Sequence, residues 1–187
     1  MDIDKTLRDL SLLTARLALG GSIAAHGAQK LFGVMGGPGP DKAAQMMRSL
    51  GFPDHERVAT MASATELTSG SLIALGAMGP LGPAMLATVM LVAIETVHRP
   101  KGYFNTEGGF EMNTMYIALA LLLANHGYGA FSVDELTGLG RRMRPMYGWL
   151  GMAGAIGAAL MMLAQRETQP HVTRGETPAE EQAKSPA

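Results

Sequence analysis

The sequence contains no cysteine. That excludes disulfides, thiolate zinc sites, iron–sulfur clusters and thiol catalysis within the chain. Charge is scarce as well: Asp, Glu, Lys and Arg make up 17% of the 187 residues, against about 25% in soluble domains. The net charge of −1 provides no basic surface for nucleic acid. Aromatic residues are few, at 5%, whereas Gly and Met are abundant, at 24 and 15. No Asp, Glu, Lys or Arg occurs from Leu67 to Ile94, from Met112 to Val133, or from Pro145 to Gln165. Each run reaches the length of about 20 residues that a membrane-spanning helix needs. An amphipathic helix on a soluble core would return a polar face every third or fourth position, and these runs do not. The composition therefore reads as a membrane protein. The opening "MDIDKTLRDL" carries three Asp, has neither a positive start nor a cleavage site, and reads as a retained start.

The expected fold is all-α, a transmembrane four-helix bundle with an additional C-terminal transmembrane helix. The spans are placed at Leu10 to Phe32, Val58 to Met78, Gly82-Pro83 to about Val97, Met112 to Asn125, and Tyr147 to Ala164. Arg16 lies near the start of the first and is expected to snorkel to the interface. The fourth is short and borrows residues from "GGFE" or "HGYG". In the fifth, "GMAGAIGAA" has small residues at the spacing that permits close helix contact, and Tyr147 and Trp149 suit an interfacial belt. Between the first two spans, "GGPGPDK" lacks the strand and the Gly-Lys-Ser/Thr ending of a phosphate loop. Asp41 is expected to cap a short amphipathic helix bearing Ala43, Ala44, Met46, Met47 and Leu50, which lies flat in the interface. Residues 167–187 read as a disordered polar tail. The basic cluster "GRRMRP" favours a cytoplasmic N-terminus, while Lys30, Lys42, Arg48, Arg57, Arg99 and Lys101 on the opposite side argue for the reverse.

One consequence holds in either orientation. The end of span one, the start of span two, the end of span three and the start of span four share one side of the membrane. His26, Gln29 and Lys30 therefore gather with Glu66, Glu95, His98, Asn105, Glu107 and Glu111. Glu66 lies roughly 12 Å deep. His26, Gln29 and Lys30 share one helical stripe, and Glu95, His98 and Arg99 repeat its spacing. Ionisable groups inside a bilayer usually face a bundle interior or a wet cavity, so these residues suggest a polar chamber beneath the loop "YFNTEGGFE". Several uses fit it: a structural network in which Glu66 pairs with Lys30 or Arg99, a single metal on Glu66, His98 and Glu111, a haem between His26 and His98, a quinone pocket, or a solute or proton path through Glu66. A di-iron site would need a second Glu-x-x-His beside Glu95-Thr-Val-His98. No catalytic set is complete, so no catalytic residue, resident metal or cofactor is assigned, although a quinone is compatible with the chamber.

The segments "RLALGGSIAAHGAQKLFG", "GGPG", "LGFP", "ELTSGSLIALG", "VMLVAIETVHRPKGYFNTEGGFE" and "YGAFSVDEL" occur in an order that resembles the DoxX family of small bacterial membrane proteins, over about Leu13 to Leu136. The matching motif positions are His26, Lys30, Gly33, Glu66, Gly70, His98, Asn105, Gly108, Gly109 and Glu111. The resemblance implies a four-span domain at 1–136 in the bacterial inner membrane; in this chain a basic loop and a fifth span at 137–166 follow it. It also implies association with oxidoreductase assemblies. Relatives are described as membrane components of redox-defence complexes, and a related DoxD-type subunit belongs to thiosulfate:quinone oxidoreductases. The expected role is thus a membrane subunit or anchor of a redox or stress-related assembly without chemistry of its own. Its partners would be the bilayer, redox-enzyme subunits or further copies of the chain. Glu95 and the fifth span depart from the family pattern, which weakens a Glu-x-x-His metal site and any borrowed C-terminal orientation.

Overall fold

The computed structural model describes residues 3–166. The expected tail at 167–187 lies outside them. The described residues form helices and connecting turns, without a strand. They comprise α1 (Ile3–Phe32), α2 (Gly39–Ser49), α3 (His55–Leu75), α4 (Leu81–Ala93), α5 (Glu111–His126), α6 (Val133–Leu136) and α7 (Pro145–Leu163). A π-helical turn, Ile94–His98, and a 3-10 turn, Arg99–Lys101, continue α4.

Two helices are long and apolar enough to cross a membrane, Leu81–Lys101 and Pro145–Leu163. Long α1 and α3 carry polar residues on their buried faces, among them Asp9, Arg16, Ser63 and Glu66, which lowers their apolar content. Helix α5 takes Glu111 from the preceding loop and His126 from the following one. Its 16 residues span about 24 Å.

Helices α1 and α3 run antiparallel at very short range. A Cβ on Gly20 would lie 2.5 Å from the Ala74 nitrogen and from the Gly70 carbonyl oxygen. Gly27 and Gly70 lie equally close, against Leu67 and Ala24. On the other side α4 packs between α5 and α7. The core of Leu19, Ile23, Ile73, Leu86, Ala120 and Leu123 joins α1, α3, α4 and α5. Helix α7 turns Gly148, Met152, Ala155 and Ala159 inward. A Cβ on Gly154 or Gly157 would meet open space within 4 Å beyond its own and neighbouring residues and nearby helix backbone, so its close-contact stripe is narrower than "GMAGAIGAA" suggests. Helix α2 begins at Gly39 after Pro38, without a side-chain cap. Asp41 therefore sits in the first turn, where its charge suits the helix dipole, and is not the cap.

Arg16 does not snorkel. It is 1% exposed, and its guanidinium donates to the Ala74 carbonyl at 3.0 Å and to the Phe131 carbonyl. Two side chains, through three hydrogen bonds, fix the turn between α3 and α4 nearby. Asp134 accepts the backbone N–H groups of Met78 and Gly79 at 2.8 and 2.7 Å. The Tyr128 hydroxyl donates to the Gly79 carbonyl at 2.6 Å. Met78 has φ of 60°, a conformation costly for a residue with a side chain, and the paired N–H groups help to hold it. Burial raises the Tyr128 phenol above its ordinary value, as does the nearby Asp134 charge, with Arg16 opposing.

Candidate functional site

The end of the bundle opposite Arg16 contains a buried ion pair. Lys30, in the last turn of α1, places its Nζ 2.6 and 2.7 Å from the two carboxylate oxygens of Glu66. Glu66 is 5% exposed. An unpaired charge at that depth is costly, so Lys30 and Glu66 stabilise each other's presence there. Beside them lies a cavity of about 120 Å³, whose lining includes Lys30, Glu66, Ser63 and Thr96. Met46 of α2 and Leu50 just past its end, Val89 and Val92 of α4, and Met162 of α7 contribute to its apolar wall. Thr96 belongs to the π-helical turn, a local widening frequent at functional sites.

The other polar residues at this end take separate partners. The His98 Nδ1–H donates to the Gly108 carbonyl at 2.7 Å. Glu111 accepts the Asn105 backbone N–H at 2.9 Å. Glu95 pairs with Arg99 on an exposed surface, and Gln29 donates to the Met35 carbonyl at 3.3 Å. His26, Asn105 and Glu107 are exposed. Among the described residues no group of three His, Asp or Glu could hold a metal ion. Glu66, His98 and Glu111 are thus not brought together as ligands.

The loop "YFNTEGGFE" folds on itself. Tyr103 stacks edge-on against both Phe104 and Phe110 at 5.4 Å. Its carbonyl accepts the Glu111 N–H at 2.9 Å, and the Phe104 carbonyl accepts the Gly109 N–H at 3.0 Å. Gly108 has φ of 77°, and a Cβ on Gly109 would lie 2.6 Å from the Tyr103 carbonyl oxygen. The glycine pair is therefore required by the turn, and Glu111 serves the turn's backbone.

The apolar core separates this end from the Arg16 end. Ile23, Ile73 and Leu86 in it are 2%, 0% and 0% exposed. Sequence reasoning missed the opposite cluster of Arg16, Tyr128 and Asp134. The only signal was that "YGAFSVDEL" retained an Asp and a Tyr beside an otherwise uncharged run.

Described residues that are all helix and turn, with two apolar helices of spanning length, and with buried charges such as Glu66, Arg16 and Asp134 met by an ion pair or by backbone hydrogen bonds, have the features of a membrane-associated protein. Residues 11–99 match the DoxX family model. The match takes in Lys30, Glu66 and His98 and stops before the loop with Asn105, Glu107 and Glu111. No curated protein and no solved structure matches the chain.

Proposed function

We propose that the chain is a multi-pass protein of the bacterial inner membrane, with α1, α3, α4 and α5 as a four-helix bundle and α7 as a fifth span. Within that membrane it acts as the subunit or anchor of a redox or stress-related assembly and performs no chemistry of its own. The observation that carries the membrane placement is the outer surface of α7. Only 22% of its apolar window is buried, and Trp149, Leu150, Leu160 and Met161 are 61%, 58%, 62% and 74% exposed. A core helix of a soluble protein would cover such residues; a bilayer solvates them. The link to redox enzymes rests on the family resemblance. Native mass spectrometry of the tagged chain, extracted in mild detergent, tests the role. Stoichiometric co-purification of an oxidoreductase subunit is expected. Turnover of a quinol or of thiosulfate by the purified chain alone would overturn the anchor reading.

The cavity beside Lys30 and Glu66 favours a second reading, in which the subunit binds a quinone-type ring. An apolar slot at the edge of a bundle, with a polar pair in its wall, is what such a ring needs. Solvent extraction of the purified protein and chromatography of the extract would detect a retained quinone. Its absence at every stage of purification would count against this reading and leave the anchor untouched.

A further inference from the structure

The hydrogen-bonding polarity of the cavity narrows what it takes. Ser63 Oγ donates to the Ala59 carbonyl at 2.7 Å, and Thr96 Oγ1 donates to the Val92 carbonyl at 2.8 Å. Each hydroxyl has one hydrogen, now committed to its own helix, so each can offer a ligand only lone pairs. Ionised Glu66 is an acceptor alone. Lys30 directs donors to both oxygens of that carboxylate. The buried polar groups of the lining, Ser63, Thr96 and Glu66, therefore hold only free acceptors, while Lys42, which also lines the cavity, is exposed. A ketone or ester would add another acceptor, and a hydrocarbon would leave the acceptors unmatched. A hydroxyl supplies the missing donor.

Size gives the second constraint. An apolar cavity of about 150 Å³ accommodates benzene, so one of about 120 Å³ takes a single small ring. Met46, Met47 and Met162 line it, and unbranched thioether side chains adjust to a ring's outline. We propose that this cavity binds a ring carrying a free hydroxyl, a phenol-class group, which donates to the acceptor edge formed by Ser63, Thr96 and Glu66. The proposal rests on the ring-binding reading above and narrows it to the reduced, hydroxyl-bearing form of such a ring.

The test uses the full chain in detergent and fluorine NMR titrations with 4-fluorophenol and 4-fluorotoluene, which differ by hydroxyl against methyl. Ala93→Phe, which fills the cavity from α4, supplies the micelle background. Ala62→Phe fills it from α3, so the background does not depend on the folding of one variant. After subtraction, 4-fluorophenol is expected to bind about 10-fold more tightly, the worth of one hydrogen bond at a charged edge. In the double variant Ser63→Ala, Thr96→Val the preference should fall at least about threefold while 4-fluorotoluene binding persists. Equal binding of the two probes would overturn the assigned polarity and spare the ring-binding reading. An unchanged preference in the double variant would overturn the role of the two hydroxyls. Binding of neither probe above background would remove the ring-binding reading and this inference together.

Discussion

Asp134 shows how one side chain can hold a turn that the backbone alone would resist. Its two oxygens accept the N–H groups of Met78 and Gly79, and an Asn would offer only one acceptor oxygen. Asp134→Asn should therefore destabilise the protein by about 1–3 kcal/mol, the cost of one unsatisfied buried donor, read as a lower thermal midpoint in detergent. Glu95→Gln breaks a pair whose side chains are 67% and 41% exposed and should move the same midpoint very little. Tyr128 predicts a pH effect. Its phenol is raised above the ordinary value of 10.0 by burial and by Asp134, so the folded state holds this proton more tightly than the unfolded chain. The stability from that difference is complete below pH 10.0 and is lost as the pH climbs toward the folded value. Alkaline unfolding curves should show this limb, and Tyr128→Phe should flatten it while costing about 1–3 kcal/mol at neutral pH for the orphaned Gly79 carbonyl.

Among the elements, the α1–α3 pair is the least tolerant of added volume. Gly20, Gly27 and Gly70 face backbone, which cannot swing aside as a side chain can. Gly70→Leu should cost well over the about 1–3 kcal/mol typical of overpacking, measured as loss of monodisperse protein in detergent. Gly154→Leu, in open space on α7, should be tolerated. The positions of the long helices were legible in the sequence because uncharged runs and Gly-Pro breaks mark them directly. Details set by partners elsewhere were not. In the π-helical turn Glu95 still pairs with Arg99 across four residues, but His98 leaves that pair for the Gly108 carbonyl. Arg16 looked interfacial because the carbonyl of Phe131 was not in view. Of the candidate site, the Lys30–Glu66 pair was legible from charge and topology. Glu111 and His98 were not, since both bond to backbone atoms of a loop whose fold depends on Gly108 and Gly109.

At the scale of the whole molecule, the proposed five-span topology places the turn at Gly36 and the turn at Gly138 on opposite faces of the membrane. The natural chain has no cysteine, so single substitutions Gly36→Cys and Gly138→Cys can be probed one at a time. A membrane-impermeant maleimide applied to right-side-out vesicles should label one of the two, and only the other in inverted vesicles. Labelling of both from the same side would rule out that arrangement. The two variants also distinguish the competing orientations left by the charge pattern.

The two carbonyls bound by Arg16 also impose an order on synthesis. Ala74 follows Arg16 by 58 residues and Phe131 by 115. At about 5–20 residues per second, the ribosome needs roughly 6–23 s to supply the second partner. In the proposed topology the first helix would until then carry a guanidinium into the membrane without its final partners, and such a group costs about 2.5–3.5 kcal/mol at a helix centre. The first helix is thus a reluctant passenger at the translocon, and the nascent chain remains unfinished there until the segment from Tyr128 to Leu136 arrives to close it.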